Sequence, residues 1–327
     1  AVLSPVAFCP REQARGEARQ PTSFHLGPMV YQDERQVSWF RQLSRSFSSL
    51  SKGSSNSDDE SDSDRWDRER GFEIADIVEK GLARETATDF MQPLARSTRL
   101  WRFRVERSAD SLQYRLLTNS KQFLMYAQVS LKDRKVEFFL YNPSDWDKAR
   151  CSPSKPTFSM TWSRDQKDWL LVSERCEHCR LSPKRCGCHG KQQVAFFGHR
   201  RVHVGGCTFN AMAATIPGLN ADGSYRVWCP LLGQGDLAED AGEQTLHLVT
   251  QVPDWNEDVG SLVLDFKGRK VLASAKNFQL VPEYSQRPEH MVCQYAKLKP
   301  GAYSLDFRYP LNVIQAFAAS ITTMFWE

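Results

Sequence analysis

From about Asp89 onward, apolar and polar residues alternate with period two in short runs. They read LWRFRVE (100–106), QFLMYAQVSL (122–131), KVEFFLY (135–141), FSMTW (158–162), DWLLVS (168–173), QVAFF (193–197), AMAATI (211–216) and YRVW (225–228). TLHLVTQV (245–252), SLVLDF (261–266), KVLASAKNFQLV (270–281), HMVCQYAKL (290–298) and AYSLDFRY (302–309) follow. Gly, Pro, Asn and Asp break the runs, and this close spacing predicts an antiparallel sandwich or barrel. Lys267-Gly268-Arg269 predicts a hairpin turn, with Gly268 supplying a positive φ. The last element departs from the pattern. After Pro310, which suits the start of a helix, LNVIQAFAASITTMFW (311–326) carries apolar residues on nearly every helical face. Such a helix would be about 24 Å long, too short to span a bilayer, and must be buried on all sides. A closed barrel around it buries the helix and removes the sheet edges. The prediction is a mainly β fold: a closed antiparallel barrel of about twelve strands around a central hydrophobic C-terminal helix.

The first part of the chain has another texture. The tract Ser44–Asp64 centres on SSLSKGSSNSDDESDSD, which cannot bury enough apolar surface to offset the entropy of ordering. Residues 1–84 are therefore expected to be a disordered, Ser/acidic-rich region, and 85–327 the barrel domain. The tract's serines, followed closely by acids, suit an acidophilic kinase; a plain solvated tail is the alternative. Val37–Phe40 and FEIADIV (72–78) are short apolar patches that could dock.

Composition narrows the classes. The 327 residues carry 43 basic and 39 acidic side chains, a net charge of +4, and 41% hydrophobic residues, enough for a sizeable core. The mean hydropathy of −0.52 requires part of the chain to stay in water. Residues 1–80 are net negative and 81–327 net positive. No run reaches the roughly 18 apolar residues of a membrane span, and no signal-peptide stretch opens the chain. Nine cysteines, an odd count without the spacing of a small secreted scaffold, argue for a reducing, intracellular compartment.

Particular segments resemble a known family. VPDWNEDVGSLVLDFKGRKVLASAKNFQ (252–279) is similar to a signature of the tubby-like proteins: P-x-W-N-x-D, then V-L-x-F-x-G-R, then A-S-x-K-N-F-Q. DFRYPLNVIQAFA (306–318) resembles the family's second signature, and TIPGLN (215–220) its I/V-P-G-M-N turn. FMQPLARSTRLWRFRV (90–105) is more loosely similar to the first strand and the segment before it. The resemblance covers about 88–327 and is densest after Thr215. It implies a twelve-stranded barrel around a central helix, no catalytic machinery, and binding of membrane phosphoinositides through a basic pocket on the barrel wall. Nuclear entry and cargo-adaptor roles are further implications. Within the motifs, Trp255, Phe266, Phe278 and Phe317 are expected as core fillers and Asn277 as the residue that satisfies a bend's backbone groups.

The family pocket uses a K-x-R strand and an arginine in a G-P-R-K element before the I/V-P-G turn. Here Thr208-Phe209-Asn210-Ala211 occupies that stretch, so Asn210 stands at the arginine position, and the K-x-R strand has no counterpart. The pocket is either absent or rebuilt. The segment 175–203 is the candidate source: it carries Arg175, Arg180, Lys184, Arg185, Lys191, Arg200 and Arg201 against Glu177 alone, with His178, His189, His199 and His203. One-signed charge focuses potential toward anions, although a solvated basic loop is the competing reading. The residues expected to hold a lipid headgroup are Arg200, Arg201, Lys191 and His203. Arg200 and Arg201 are neighbours on an extended strand, so one should dominate.

Cys176-x-x-Cys179 and Cys186-x-Cys188 place four thiols in a Cys-rich insertion at about 174–190. Two readings stay open: one structural zinc held tetrahedrally, or free thiols and a labile disulfide. No cofactor is otherwise required. Gly233-Gln-Gly235-Asp-Leu-Ala238 matches G-x-G-x-x-A but lacks the strand–turn–helix context of a nucleotide loop, and no nucleophile elbow, P-loop or H-E-x-x-H occurs. The functional expectation is a non-enzymatic, monomeric, cytoplasmic module bound peripherally to anionic membrane phosphoinositide, with a protein cargo and a regulatory kinase as partners. The alternative is a soluble adaptor or nuclear factor binding protein or, less favoured, nucleic acid.

Overall fold

The computed structural model describes residues 4–7, as backbone alone, and most of 87–326; 141–154, 177–189, 205–206, 230–235, 239–243 and a few single positions fall outside the described residues. Fifteen strands are described. They are β1 (Ser4–Ala7), β2 (Trp101–Arg107), β3 (Gln113–Thr118), β4 (Phe123–Ser130), β5 (Lys135–Phe139), β6 (Phe158–Trp162), β7 (Asp168–Ser173) and β8 (Gln192–Val204). Then come β9 (Cys207–Pro217), β10 (Thr245–Thr250), β11 (Asp254–Asn256), β12 (Ser261–Leu264), β13 (Phe278–Pro282), β14 (Cys293–Lys299) and β15 (Ala302–Phe307), ahead of α1 (Val313–Thr322), the one α-helix among the described residues. Twelve strands close into an antiparallel barrel in the order β10-β13-β14-β15-β2-β3-β4-β5-β6-β7-β8-β9. The remaining three form a small outer sheet, β1-β12-β11. This is the architecture that the alternation and the apolar helix predict.

The barrel interior is where the alternation pays off. Phe103 and Val105 of β2 face inward opposite Leu305 and Tyr303 of β15, and Leu116, Phe138, Met160, Leu171, Phe197, Met212 and Leu280 continue the lining. Every residue of α1 is buried. Phe317 stands edge-on to Phe138, with ring centroids 5.8 Å apart. Small Ala316, Ala318, Ala319 and Ser320 keep the helix slim enough for the lumen, and the larger Val313, Ile314, Phe317 and Ile321 fill it. Each fully buried large apolar side chain contributes roughly 1.5–3 kcal/mol. The helix N-terminus is closed by a capping box, Asn312 Oδ1 accepting from Gln315 N (2.8 Å) and Gln315 Oε1 from Asn312 N (3.3 Å). Asn312 Nδ2 also donates to Met91 O (2.8 Å), which ties in the short 3₁₀ turn Asp89–Met91. Pro310, expected at the helix start, instead precedes the Asn312 cap by two residues and follows a cis Tyr309–Pro310 bond.

The segments resembling family signatures act as structural ties. Lys276 Nζ donates to the carbonyls of Thr323, Met324 and Trp326 at 3.0, 2.8 and 2.7 Å, satisfying acceptors that the helical C-terminus leaves open. Asn277 Nδ2 donates to Leu272 O and its Oδ1 accepts from Lys297 N, both 2.9 Å, fastening the 265–277 strap to β14. Phe278 is fully buried against Tyr295 and Trp326. Arg269 donates to buried Asp306 at 2.7 Å, joining the FKGR element to the DFRYPLN element. Burial pushes the Asp306 carboxyl up, and the Arg269 charge opposes that rise. In TIPGLN, Gly218 is required by close approach: a Cβ there would lie 2.5 Å from Gln244 O. The turn that follows delivers the Tyr225 hydroxyl to Pro310 O and, at 2.8 Å, to Gln315 Oε1.

Several expectations are corrected. SLVLDF supplies β12 of the outer sheet, and 270–277 is a non-strand strap, so Lys267–Arg269 is no barrel hairpin. Lys267 itself takes a positive φ of 52°, while Gly268 lies outside the described residues. YRVW forms only isolated bridges, Leu219 with Tyr225 and Gln193 with Trp228. β3 was not anticipated. Trp255 is 38% exposed, on β11 at the edge of the outer sheet. Phe266 is buried as expected, in a satellite cluster with Leu264, Val271 and Ala296. Of 1–84, only Ser4–Ala7 are described, as a strand; the Ser/acidic tract, Val37–Phe40 and 72–78 lie outside the described residues.

Candidate functional site

The basic residues proposed for an anion site sit on the long hairpin β8–β9, whose strands run 13 and 11 residues and project past the helix end. The pairing places Arg200 opposite Ala211, Arg201 opposite Asn210, Val202 opposite Phe209 and His203 opposite Thr208. Arg200, Arg201 and His203 are all exposed. Strand alternation puts Arg200 and Val202 on the outer face and Arg201 and His203 on the inward face, above the barrel rim. Val202 is buried beneath the outer sheet with Cys207, Phe209, Ala211 and Leu262. The two arginines therefore point to opposite sides.

Their surroundings differ. Arg200 acts on Asp168 of β7, whose carboxyl is raised by burial and by Asp165 while Arg200 and Lys167 pull it back. Arg201 is set across from the amide of Asn210. His203 shares a 2.7 Å hydrogen bond between its Nδ1 and Thr208 Oγ1.

Lys191 does not belong with them. It precedes β8 at the opposite end of the strand, roughly 30 Å away at 3.3 Å per residue. Its ammonium is bound to Glu174 at 2.8 Å. Burial alone would raise the Glu174 carboxyl, but hydrogen bonds from Lys191 and Ser159 outweigh it and hold it below the usual range. His199 also leaves the basic cluster. It faces inward, its Nε2 at 3.0 Å from Thr322 Oγ1 and its Nδ1 accepting from Trp326 Nε1 at 3.0 Å. Burial pushes its pKa down to about 3, so it is a neutral core residue at ordinary pH. Sequence offered no sign of this, because only the β8 register separates His199 from its exposed neighbours.

Of the thiols considered for zinc, Cys176 is buried and free, while Cys179, Cys186 and Cys188 lie outside the described residues. Among the described residues no three His, Cys, Asp or Glu side chains gather as a metal site. Among the same residues, no helix is long and apolar enough to cross a membrane. Leu237 N and Asp236 are pinned to the side chain of Gln193, so the described part of the glycine-containing segment is tied to β8, with Leu237 buried.

A closed twelve-stranded barrel threaded by a buried C-terminal helix, with its signature residues used as ties, defines a tubby-like domain. A family model described as the Tub family matches residues 90–325, and the chain belongs to that family. It is 41% identical to mouse Tubby-related protein 2 over 140 residues, 42% of this chain and 23% of that protein. To mouse Tubby-related protein 1 it is 36% identical over 116 residues, 34% of this chain and 21% of the relative. Tubby protein homolog 1 of Caenorhabditis briggsae is 40% identical over 121 residues, 34% of this chain and 28% of the relative. The matched stretch thus spans about a quarter of the length of these relatives.

Proposed function

We propose that this Tub-family barrel is a non-enzymatic module that binds an anionic phosphoinositide headgroup at a cytoplasmic membrane surface, as a monomeric peripheral tether or adaptor. The supporting observation is the projecting end of β8–β9, where Arg200, Arg201 and His203 are exposed within four residues. A guanidinium offers two parallel hydrogen bonds to a phosphate, the geometry that headgroup recognition rewards. Arg201 is the dominant ligand in this reading, because Asp168 draws on the Arg200 charge and nothing acidic faces Arg201 across the strand pair. Arg200 then adds long-range attraction to the anionic surface. Serines of the Ser44–Asp64 tract, as acidophilic-kinase substrates, would add charge of the membrane's own sign and weaken the attachment.

Flotation with phosphatidylinositol-bisphosphate vesicles tests this. Each lost cationic contact is worth on the order of 1 kcal/mol, so Arg200→Ala with Arg201→Ala should weaken binding by about tenfold or more. Arg201→Ala alone should account for most of the loss. Unchanged binding by the folded double variant moves the site elsewhere on the barrel. Asn210, standing where the family pattern has an arginine, supports the second reading, a protein-binding adaptor in cytoplasm or nucleus. Wild-type protein that ignores the vesicles would favour it.

A further inference from the structure

The outer sheet carries an inference independent of lipid binding. Its middle strand β12 is buried along its whole length, Leu262 against Val202, Cys207, Phe209 and Ala211, and Leu264 against Phe266, Val271 and Ala296. Its two flanks differ in origin. β11 reaches β12 through the adjacent turn, whereas β1 precedes the barrel strands in the chain by more than 80 residues and lies against β12 and β9. β1 lies antiparallel on β12, Ser4 opposite Leu264, Pro5 opposite Val263 and Ala7 opposite Leu262, with an irregularity between Pro5 and Ala7.

Pro5 has no N–H and is tolerated in a strand only at a sheet edge, which is where β1 sits. Four residues, one without a donor, form few ladder bonds, and each is modest after exchange with water. With three paired positions and an irregularity between Pro5 and Ala7, β1 is held by a short ladder. β12, by contrast, is fixed to the barrel by its buried leucines and keeps presenting the same row of backbone donors and acceptors on that side.

We propose that this edge of β12 is a strand-accepting docking site, and that Ser4–Ala7 is its exchangeable resident, bound in cis by β-augmentation. The occupant it fits is extended, with proline allowed opposite Val263.

The test keeps the full chain and replaces Val6 and Ala7 together by proline, which leaves Ser4 as the one backbone donor of β1. Hydrogen exchange at the β12 amides directed at β1 should be at least about tenfold faster in V6P/A7P than in wild type, while the β12 amides directed at β11 and the amides of α1 stay protected. A fluorescein-labelled peptide of residues 1–10 should then bind V6P/A7P saturably at one per chain in an anisotropy titration. It should bind wild type at least about tenfold more weakly, because the cis strand competes at high effective concentration. The same peptide with both prolines should not bind. Unchanged exchange at β12, or no peptide binding to a folded V6P/A7P chain, overturns the proposal. A wild-type dimer that V6P/A7P loses would overturn the cis assignment, making the occupant a second copy of the chain.

Discussion

Replacing Lys276 by methionine is expected to loosen the helix end and lower the stability of the whole barrel. The Lys276 ammonium holds three main-chain carbonyls, those of Thr323, Met324 and Trp326, at 2.7–3.0 Å. Methionine preserves most of the stem's volume, so the change isolates the polar interaction from cavity formation. A hydrogen bond to a charged group contributes about 1.5–3 kcal/mol, but the three share one ammonium, and half-buried Met324 and Phe325 leave water a route to the carbonyls. Taking about 1 kcal/mol for each lost bond gives a destabilisation of about 3 kcal/mol. For a domain of this size 1 kcal/mol corresponds to about 2–4 °C, so the midpoint should fall by roughly 6–12 °C. Urea unfolding followed by tryptophan fluorescence suits the measurement, because Trp162, Trp169 and Trp326 surround the helix end with Phe325 and His199. Lys276→Arg should recover part of the loss. A K276M unfolding free energy within about 1 kcal/mol of wild type, at unchanged m-value, would refute the capping role.

Phe317→Asp should yield no soluble folded protein, since it places an unpaired charge in the fully buried lumen; Phe317→Ala should fold with a loss of about 3–5 kcal/mol, and a well-folded F317D would contradict the central-helix account. His199 gives a pH signature. Its pKa is about 3 in the fold against 6.5 as a free side chain, so above pH 6.5 it contributes no pH dependence, and as pH falls the unfolded state alone takes up the proton. At about pH 5 this costs the fold about 2 kcal/mol, which His199→Gln should remove from the difference in urea midpoints between pH 7 and pH 5. If Cys176, Cys179, Cys186 and Cys188 hold zinc, elemental analysis of protein purified without chelator will find about one equivalent, and chelation will leave the barrel's circular dichroism intact; protein without zinc rejects that reading.

The barrel was legible because its two decisive signals are local: period-two alternation in the walls and an apolar helix with no polar face. What sequence missed depends on partners distant in the chain. β3 hid because Leu117 follows Leu116, blurring the alternation that puts Tyr114, Leu116 and Thr118 inward. KVLASAK and YRVW look like strands, yet contacts of Asn277 and Tyr225 hold them in place of a ladder. Trp255 was expected in the core on its size, but it falls on the edge strand of the outer sheet rather than on a barrel strand. At the candidate site, the dense run of basic residues was visible, whereas its partition was not. Lys191 lies on an ion pair at the far end of β8 and His199 is inside the barrel, whereas the opposite facing of Arg200 and Arg201 was expected of neighbours on a strand. The places of Lys191 and His199 do not follow from spacing alone without the register of β8 against β7 and β9.

The central functional claim, a headgroup site on the β8–β9 end, is tested most directly by flotation of the wild-type chain with two sets of vesicles. One contains phosphatidylinositol bisphosphate, and the other carries the same surface charge as phosphatidylserine. A site built around arginine forks predicts clear flotation with the first and at least about tenfold weaker association with the second. Equal flotation with both would reduce the interaction to surface charge, and flotation with neither would contradict membrane binding by this barrel.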